Sequence, residues 1–318
     1  MATGSSTAGD SEEEFEARVG LRYTVERILD DTSARISLYV VVLITAVATF
    51  AFVDSTLLDY YVANTYWHNP LSASASARPL LPPVGLTNEF GTGTWVYPLG
   101  TDTRGRGILV RLVYGSRVAM QVALVSTVLG MVLGSVVGAV AGYYGGWTDD
   151  VLMRLAEVVY SIPFLVLVIA FMTVFGRDLT IAMIGVGLIT VPIFARLIRS
   201  EVLSVREETY VEAARAAGVR DRDILLRHVI PNSFAPVVVQ ATLQMGTNIL
   251  IVAGLSFLGF GAQPPTPSWG QMLSQSRNYM LPNPWFSIWP GLAILVTVMA
   301  FNVIGDGFRD TLDPRLND

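Results

Sequence analysis

Six apolar stretches dominate this 318-residue chain, and few folds other than a helical bundle in a lipid bilayer can house them. A helix needs about 20 apolar residues to cross the hydrocarbon. The candidates are Ile36–Val53, Val118–Ala141, Val158–Phe175, Leu179–Phe194, Val237–Leu258 and Pro290–Val303; the fourth and sixth are short for a span. Composition agrees: 52% of residues are hydrophobic and 15% are charged, against roughly 25% charged in soluble domains. The expected fold is all-α and polytopic with six transmembrane helices. Residues 1–34 read as a tail, 35–57 as the first transmembrane helix and 58–117 as a loop. Residues 118–318 read as a five-helix core carrying a polar loop at 200–231. The charged first 34 residues lack the short apolar core and cleavage site of a signal peptide.

Arginine placement orients the spans. With the N-terminus inside, Arg18, Arg22, Arg27, Arg35, Arg154, Arg309, Arg315 and the cluster from Arg196 to Arg227 are internal. That is the majority of the 21 basic residues, as the positive-inside rule requires, although Arg104, Arg106, Arg111 and Arg117 crowd the outer start of the second span. Trp285, Trp289, Tyr143, Tyr144 and Trp147 fall where interfacial aromatic belts belong. Both termini are expected in the cytoplasm of a prokaryotic cell. Two outer connections, 58–117 and 261–287, are rich in proline and expected to be irregular. The acidic "DSEEEFEAR" near the N-terminus reads as a solvated tail.

Several chemistries are excluded. The chain has no cysteine, so there are no disulfides, thiolate metal sites or cysteine nucleophiles. His68 and His228 do not stand at a metal-ligand spacing, and no nucleophile–base constellation is present, so neither a catalytic nor a metal site is expected. All 21 basic residues are arginine, and without lysine a GxxxxGK[ST] phosphate loop cannot be built. The net charge of -5 comes with no aromatic–basic motif for nucleic acid.

Within the spans, Gly130, Gly134, Gly138 and Gly142 recur every four residues, a spacing that lets another helix approach closely, as a sliding or a static seam. Pro163 and Pro192 are expected to kink the third and fourth helices. Gln240, Gln244 and Asn248 stack on one face of the fifth, with Thr247 beside them. Amides are costly in lipid, so this face either bonds to another helix or lines a path for a polar solute.

The polar stretch "EAARAAGVRDRDILLRHVIPN" (212–232) interrupts two apolar segments. The residues "ARLIRSEVLSVREETYVEAARAA" before Gly218 read as one helix, Gly218 as its C-terminal corner, and Asp221 as the cap of a second helix that stops by Pro231. The result is a knob, kept slim by Ala213 and Ala214, with Glu212 offering a carboxylate.

Glu212-Ala213-Ala214, three residues, Gly218, nine residues, then His228-Val229-Ile230-Pro231 resembles the EAA motif of ABC-importer permeases. "LGTDTRGRGILVRLVYGSR" (99–117), "LSFLGFGAQPPTPSWGQML" (255–273) and "GDGFRDTLDPR" (305–315) are similar to blocks of the dipeptide/oligopeptide/nickel permease family, C-type subunit. Gly107 departs from the pattern, which has aspartate there. The resemblance implies a type I importer permease fold and no activity of the chain's own, with ATP and Mg bound by partners. It implies a homologous second permease subunit, two cytoplasmic ATPase subunits and an extracytoplasmic binding protein. It places ATPase coupling on Glu212, Ala213, Ala214, Arg215, Gly218 and Pro231. The cargo expected is a di- or oligopeptide, with nickel chelates, glutathione or oligosaccharides as alternatives. A secondary transporter is the alternative of another class, but the middles of the six spans carry no carboxylate or basic group for ion coupling.

Overall fold

A computed structural model of the chain describes residues 29–74 and 77–312. The acidic N-terminal stretch and the end of the C-terminal block, 313–318, lie outside the described residues. The elements begin with α1 (Thr32–Thr56), α2 (Tyr61–Tyr66) and a two-stranded antiparallel ladder, β1 (Thr87–Asn88) with β2 (Gly91–Thr92). Then come α3 (Ile108–Tyr144), α4 (Gly146–Ser161), α5 (Phe164–Phe175) and α6 (Leu179–Arg206). A polar segment holds α7 (Thr209–Ala216), α8 (Asp221–Ile224), a wide π turn (Leu225–Val229) and α9 (Ile230–Asn232). The chain closes with α10 (Ala235–Phe257), α11 (Trp269–Ser276) and α12 (Trp285–Leu312).

Five helices, α1, α3, α6, α10 and α12, are long and apolar enough to cross a membrane. The expected third span is not one helix. It is the pair α4 and α5, bent by 91° at Ile162–Pro163, and counts as a sixth crossing only if the pair is one span. Proline has no N–H to give and forces the residue before it out of the helical region; Ile162 is extended at φ -83°, ψ 131°. Pro192, by contrast, is carried inside α6. The fourth and sixth helices run past their apolar segments, to Arg206 and Leu312, because a helix satisfies its backbone in water as well as in lipid.

Helix α3 packs along α6 more extensively than any other pair in the bundle, and the glycines are the reason. A Cβ on Gly130 would stand 2.0 Å from Thr190 Oγ1, and one on Gly134 would stand 2.6 Å from the Val191 carbonyl. The α6 backbone and the Thr190 and Phe194 side chains fill the space a side chain would need, which is what lets the two helices approach so closely. Helix α10 lies against α12 and α3, while α1 rests on α3 and α12.

At the end of the bundle formed by residues 58–107 and α11, polar side chains replace regular structure. Asp102 accepts hydrogen bonds from the backbone of Arg104 (2.8 Å) and Arg106 (3.0 Å) and from Arg106 Nε (2.7 Å). Arg111 reaches the Pro70 carbonyl (2.9 Å) and Gln271 (3.3 Å), with its Nε 3.4 Å from Asp102. All three ionic side chains are buried, so this cluster ties the loop, α3 and α11 together. Gly107 stands at the N-cap of α3 and takes part through its backbone alone, bridging Thr101 and accepting from Arg111 N–H at 3.2 Å, while the side-chain ties here come from Asp102 and the two arginines. A second tie holds α1: buried Asp54 accepts from the backbone N–H of Val62 (2.8 Å) and Ala63 (3.3 Å) and from the Tyr114 hydroxyl.

Candidate functional site

The polar segment between α6 and α10 folds as a knob at the opposite end of the bundle. Its helix is not continuous with α6 as the composition suggests. The chain breaks at Glu207–Glu208, where Glu208 is extended at φ -69°, ψ 143° and starts α7 afresh. Gly218 takes φ +79°, and the turn closes with Gly218 N–H to Arg215 O (3.0 Å) and Val219 N–H to Ala214 O (3.2 Å). This is a Schellman C-cap, which uses a left-handed residue to satisfy the last carbonyls of α7.

Asp221 does not cap α8. Arg220 stands at the N-cap, Asp221 is the first helical residue, and its carboxylate accepts from the Tyr143 hydroxyl at 2.8 Å. Pro231 lies inside the short α9, so the helix ends one residue past it, at Asn232. The π turn just before it follows from the same residue. A proline ring crowds the carbonyl four positions back, and a wider turn, with Ile230 N–H bonded to Leu225 O, makes room.

One face of the knob is anchored and the other is free. Val211, Ile224, Leu225 and Val229 are buried in a cluster with Tyr143 of α3 and Phe194, Ile198 and Val202 of α6. Ala214 is half-buried against that cluster, while Glu212, Ala213, Arg215, Gly218 and Pro231 are exposed. Tyr210 (44%), Val219 (39%) and Leu226 (51%) also present large side chains outward. Partial burial, and then the charge of Glu208, push the Tyr210 phenol above its usual range. Sequence reading passes over these three because apolar residues in a short polar segment look like core.

The amides of α10 separate. Gln244 and Asn248 are buried; Gln244 Nε2 donates to Asn248 Oδ1 (2.9 Å), and Asn248 Nδ2 donates to Thr127 Oγ1 of α3 (3.0 Å). Within this subunit the two buried amides join α10 to α3, so of the three residues expected on one polar face only Gln240 is partly open. Gln240 and Thr242 are half-buried and Thr247 is exposed, so these polar positions of α10 have access. The two histidines lie apart, His68 against Tyr97 at the loop end with the rings tilted by 41°, and His228 in the knob. Among the described residues no three His, Asp or Glu side chains are placed to hold a metal ion.

Comparison with known proteins adds an independent line. Residues 134–318 match the family described as the binding-protein-dependent transport system inner membrane component. A dipeptide transport system permease protein, DppC of Alkalihalophilus pseudofirmus, is 45% identical over 217 residues, 68% of this chain and 71% of that one. A glutathione transport system permease protein, GsiD of Pectobacterium atrosepticum, is 42% identical over 218 residues, 69% of this chain and 72% of its own. A chain of the MetNI methionine ABC transporter in an inward-facing conformation superposes with a TM-score of 0.54. At 22% identity, covering 65% of this chain and 98% of that one, it speaks to the fold: that of a type I importer permease. The matched span takes in both the glycine seam's partner helix and the whole knob, and the chain belongs to the binding-protein-dependent inner membrane component family, the membrane permeases of ATP-driven importers.

Proposed function

We propose that the knob at 212–231 is the surface an ATPase subunit grips, and that its end of the bundle is cytoplasmic, with both termini. The observation that carries this is the knob's two faces: an apolar side built into α3 and α6, and an outer side offering Glu212, Ala213 and Arg215. A surface fixed to two long helices can pass on a push, whereas a loose loop would absorb it. The working assembly holds a homologous second permease subunit, two ATPase subunits that bind ATP and Mg, and an extracytoplasmic binding protein. The ATPases shift the bundle between inward and outward openings by contacting the two states differently. Gln240 and Thr247 are the positions of α10 that we assign to the passage between the two permease halves.

The cargo is a di- or oligopeptide. Support comes from the dipeptide relative, and the glutathione relatives favour a second reading in which a small, unusually linked peptide is carried. Identifying what the cognate binding protein holds decides between them. Docking is tested by capturing the permease in detergent and measuring how much ATPase subunit it retains. Glu212→Lys is expected to release the ATPase while the permease stays inserted; full retention would refute the docking surface.

A further inference from the structure

The knob is joined by the chain to α6 and α10 only, yet side-chain bonds also tie its root and its second helix to α3. Arg206, the last residue of α6, donates from Nη1 to the carbonyls of Gly142 (3.1 Å) and Tyr143 (3.0 Å) in the last turn of α3. Those carbonyls have no helical N–H left to bond, and a guanidinium suits the negative end of the helix dipole. The Tyr143 hydroxyl in turn donates to Asp221 on the first residue of α8 (2.8 Å). The Tyr143 ring is buried beside knob residues Val211 and Ile224 and α6 residues Ile198 and Val202.

Above this clasp the glycine seam holds α3 and α6 in close contact. A Cβ on Gly142 would stand 2.9 Å from the Arg199 carbonyl, and one on Gly138 would stand 2.4 Å from Ile198 Cγ2.

We propose that Tyr143 and Arg206 are positioning residues for coupling: they clasp the knob to the end of α3, so that α3, α6 and the knob move as one body. Helix α3 also carries Arg111 of the buried cluster at the far end of the bundle. A push on the knob therefore arrives at the loop end through a single helix of 37 residues. Without the clasp, the push would reach α3 only indirectly, by way of α6 and the apolar cluster. The inference rests on the docking reading above, and its test separates the two.

The full complex in proteoliposomes reports two quantities, cargo imported per ATP hydrolysed and ATPase subunit retained. Tyr143→Phe keeps the buried ring and removes one hydrogen bond. It is expected to retain the ATPase in full while import per ATP falls roughly three- to tenfold, the factor an ordinary hydrogen bond confers. A merely structural defect lowers the amount of complex and leaves that ratio alone. Asp221→Ala should lower the ratio similarly, and the double variant Tyr143→Phe/Asp221→Ala no further, since both remove the same bond. A wild-type ratio in Tyr143→Phe, loss of the ATPase from it, or a double variant whose losses multiply would overturn the clasp. Retention of the ATPase by Glu212→Lys would instead overturn the docking reading, whatever Tyr143→Phe does.

Discussion

The carbonyl oxygen of Ala195 stands 2.1 Å from where a Cβ on Gly138 would lie. No side chain fits there unless α3 and α6 part, so Gly138→Ala is expected to destabilise the permease by about 1–3 kcal/mol through overpacking. Gly254→Ala is the control, because nothing lies within 4 Å of a Cβ at that position. Thermal unfolding of the purified permease should show a clear drop for the first and none for the second.

Among the described residues Asp102 is the carboxylate paired with both Arg106 and Arg111, and all three are buried. Asp102→Asn leaves two guanidiniums in a dry site with no counter-charge, a change that costs about 3–5 kcal/mol. Limited proteolysis should then cut residues 58–107 while the membrane helices stay intact. Unchanged protease resistance would mean that the cluster does not order the outer segment.

On α10, accessibility should follow the split among the polar residues. Cysteines introduced by Gln240→Cys and Thr247→Cys are expected to react with a water-soluble thiol reagent in the assembled complex, and those from Gln244→Cys and Asn248→Cys to stay protected. The chain has no cysteine of its own, so its background is clean. A double-mutant cycle on Asn248→Ala and Thr127→Val should give a coupling of about 0.6 kcal/mol, typical of interhelical hydrogen bonds in membranes. Reaction of Asn248→Cys as fast as Thr247→Cys would return both amides to the passage.

The helices were legible because an apolar run declares a span regardless of its partners, and α1, α3, α6 and α10 lie where their runs lie. Gly218 was legible too, since a glycine that ends a helix is a local event. What escaped depended on residues far apart in sequence. Tyr143 and Asp221 are 78 positions apart, and neither residue type announces the other. Gln244 and Asn248 show the same limit: their spacing puts both on one face of α10, but only Thr127, on another helix, decides what that face meets. The break at Pro163 was half-legible, because proline predicts a bend while packing sets its size.

The central claim is that the knob's shape passes motion from ATPase to bundle, and Gly218 isolates it. The residue is exposed, has no atom within 4 Å of a Cβ, and sits at φ +79°, so within the permease a substitution there acts through the backbone, and the asparagine variant controls for a side chain that meets the ATPase. Valine penalises that conformation by about 1–2 kcal/mol, whereas asparagine tolerates it. The measurement is cargo import per ATP hydrolysed by the reconstituted complex. Import per ATP should fall severalfold in Gly218→Val, with the permease still inserted, and stay near wild type in Gly218→Asn. Normal import per ATP in Gly218→Val would contradict the account.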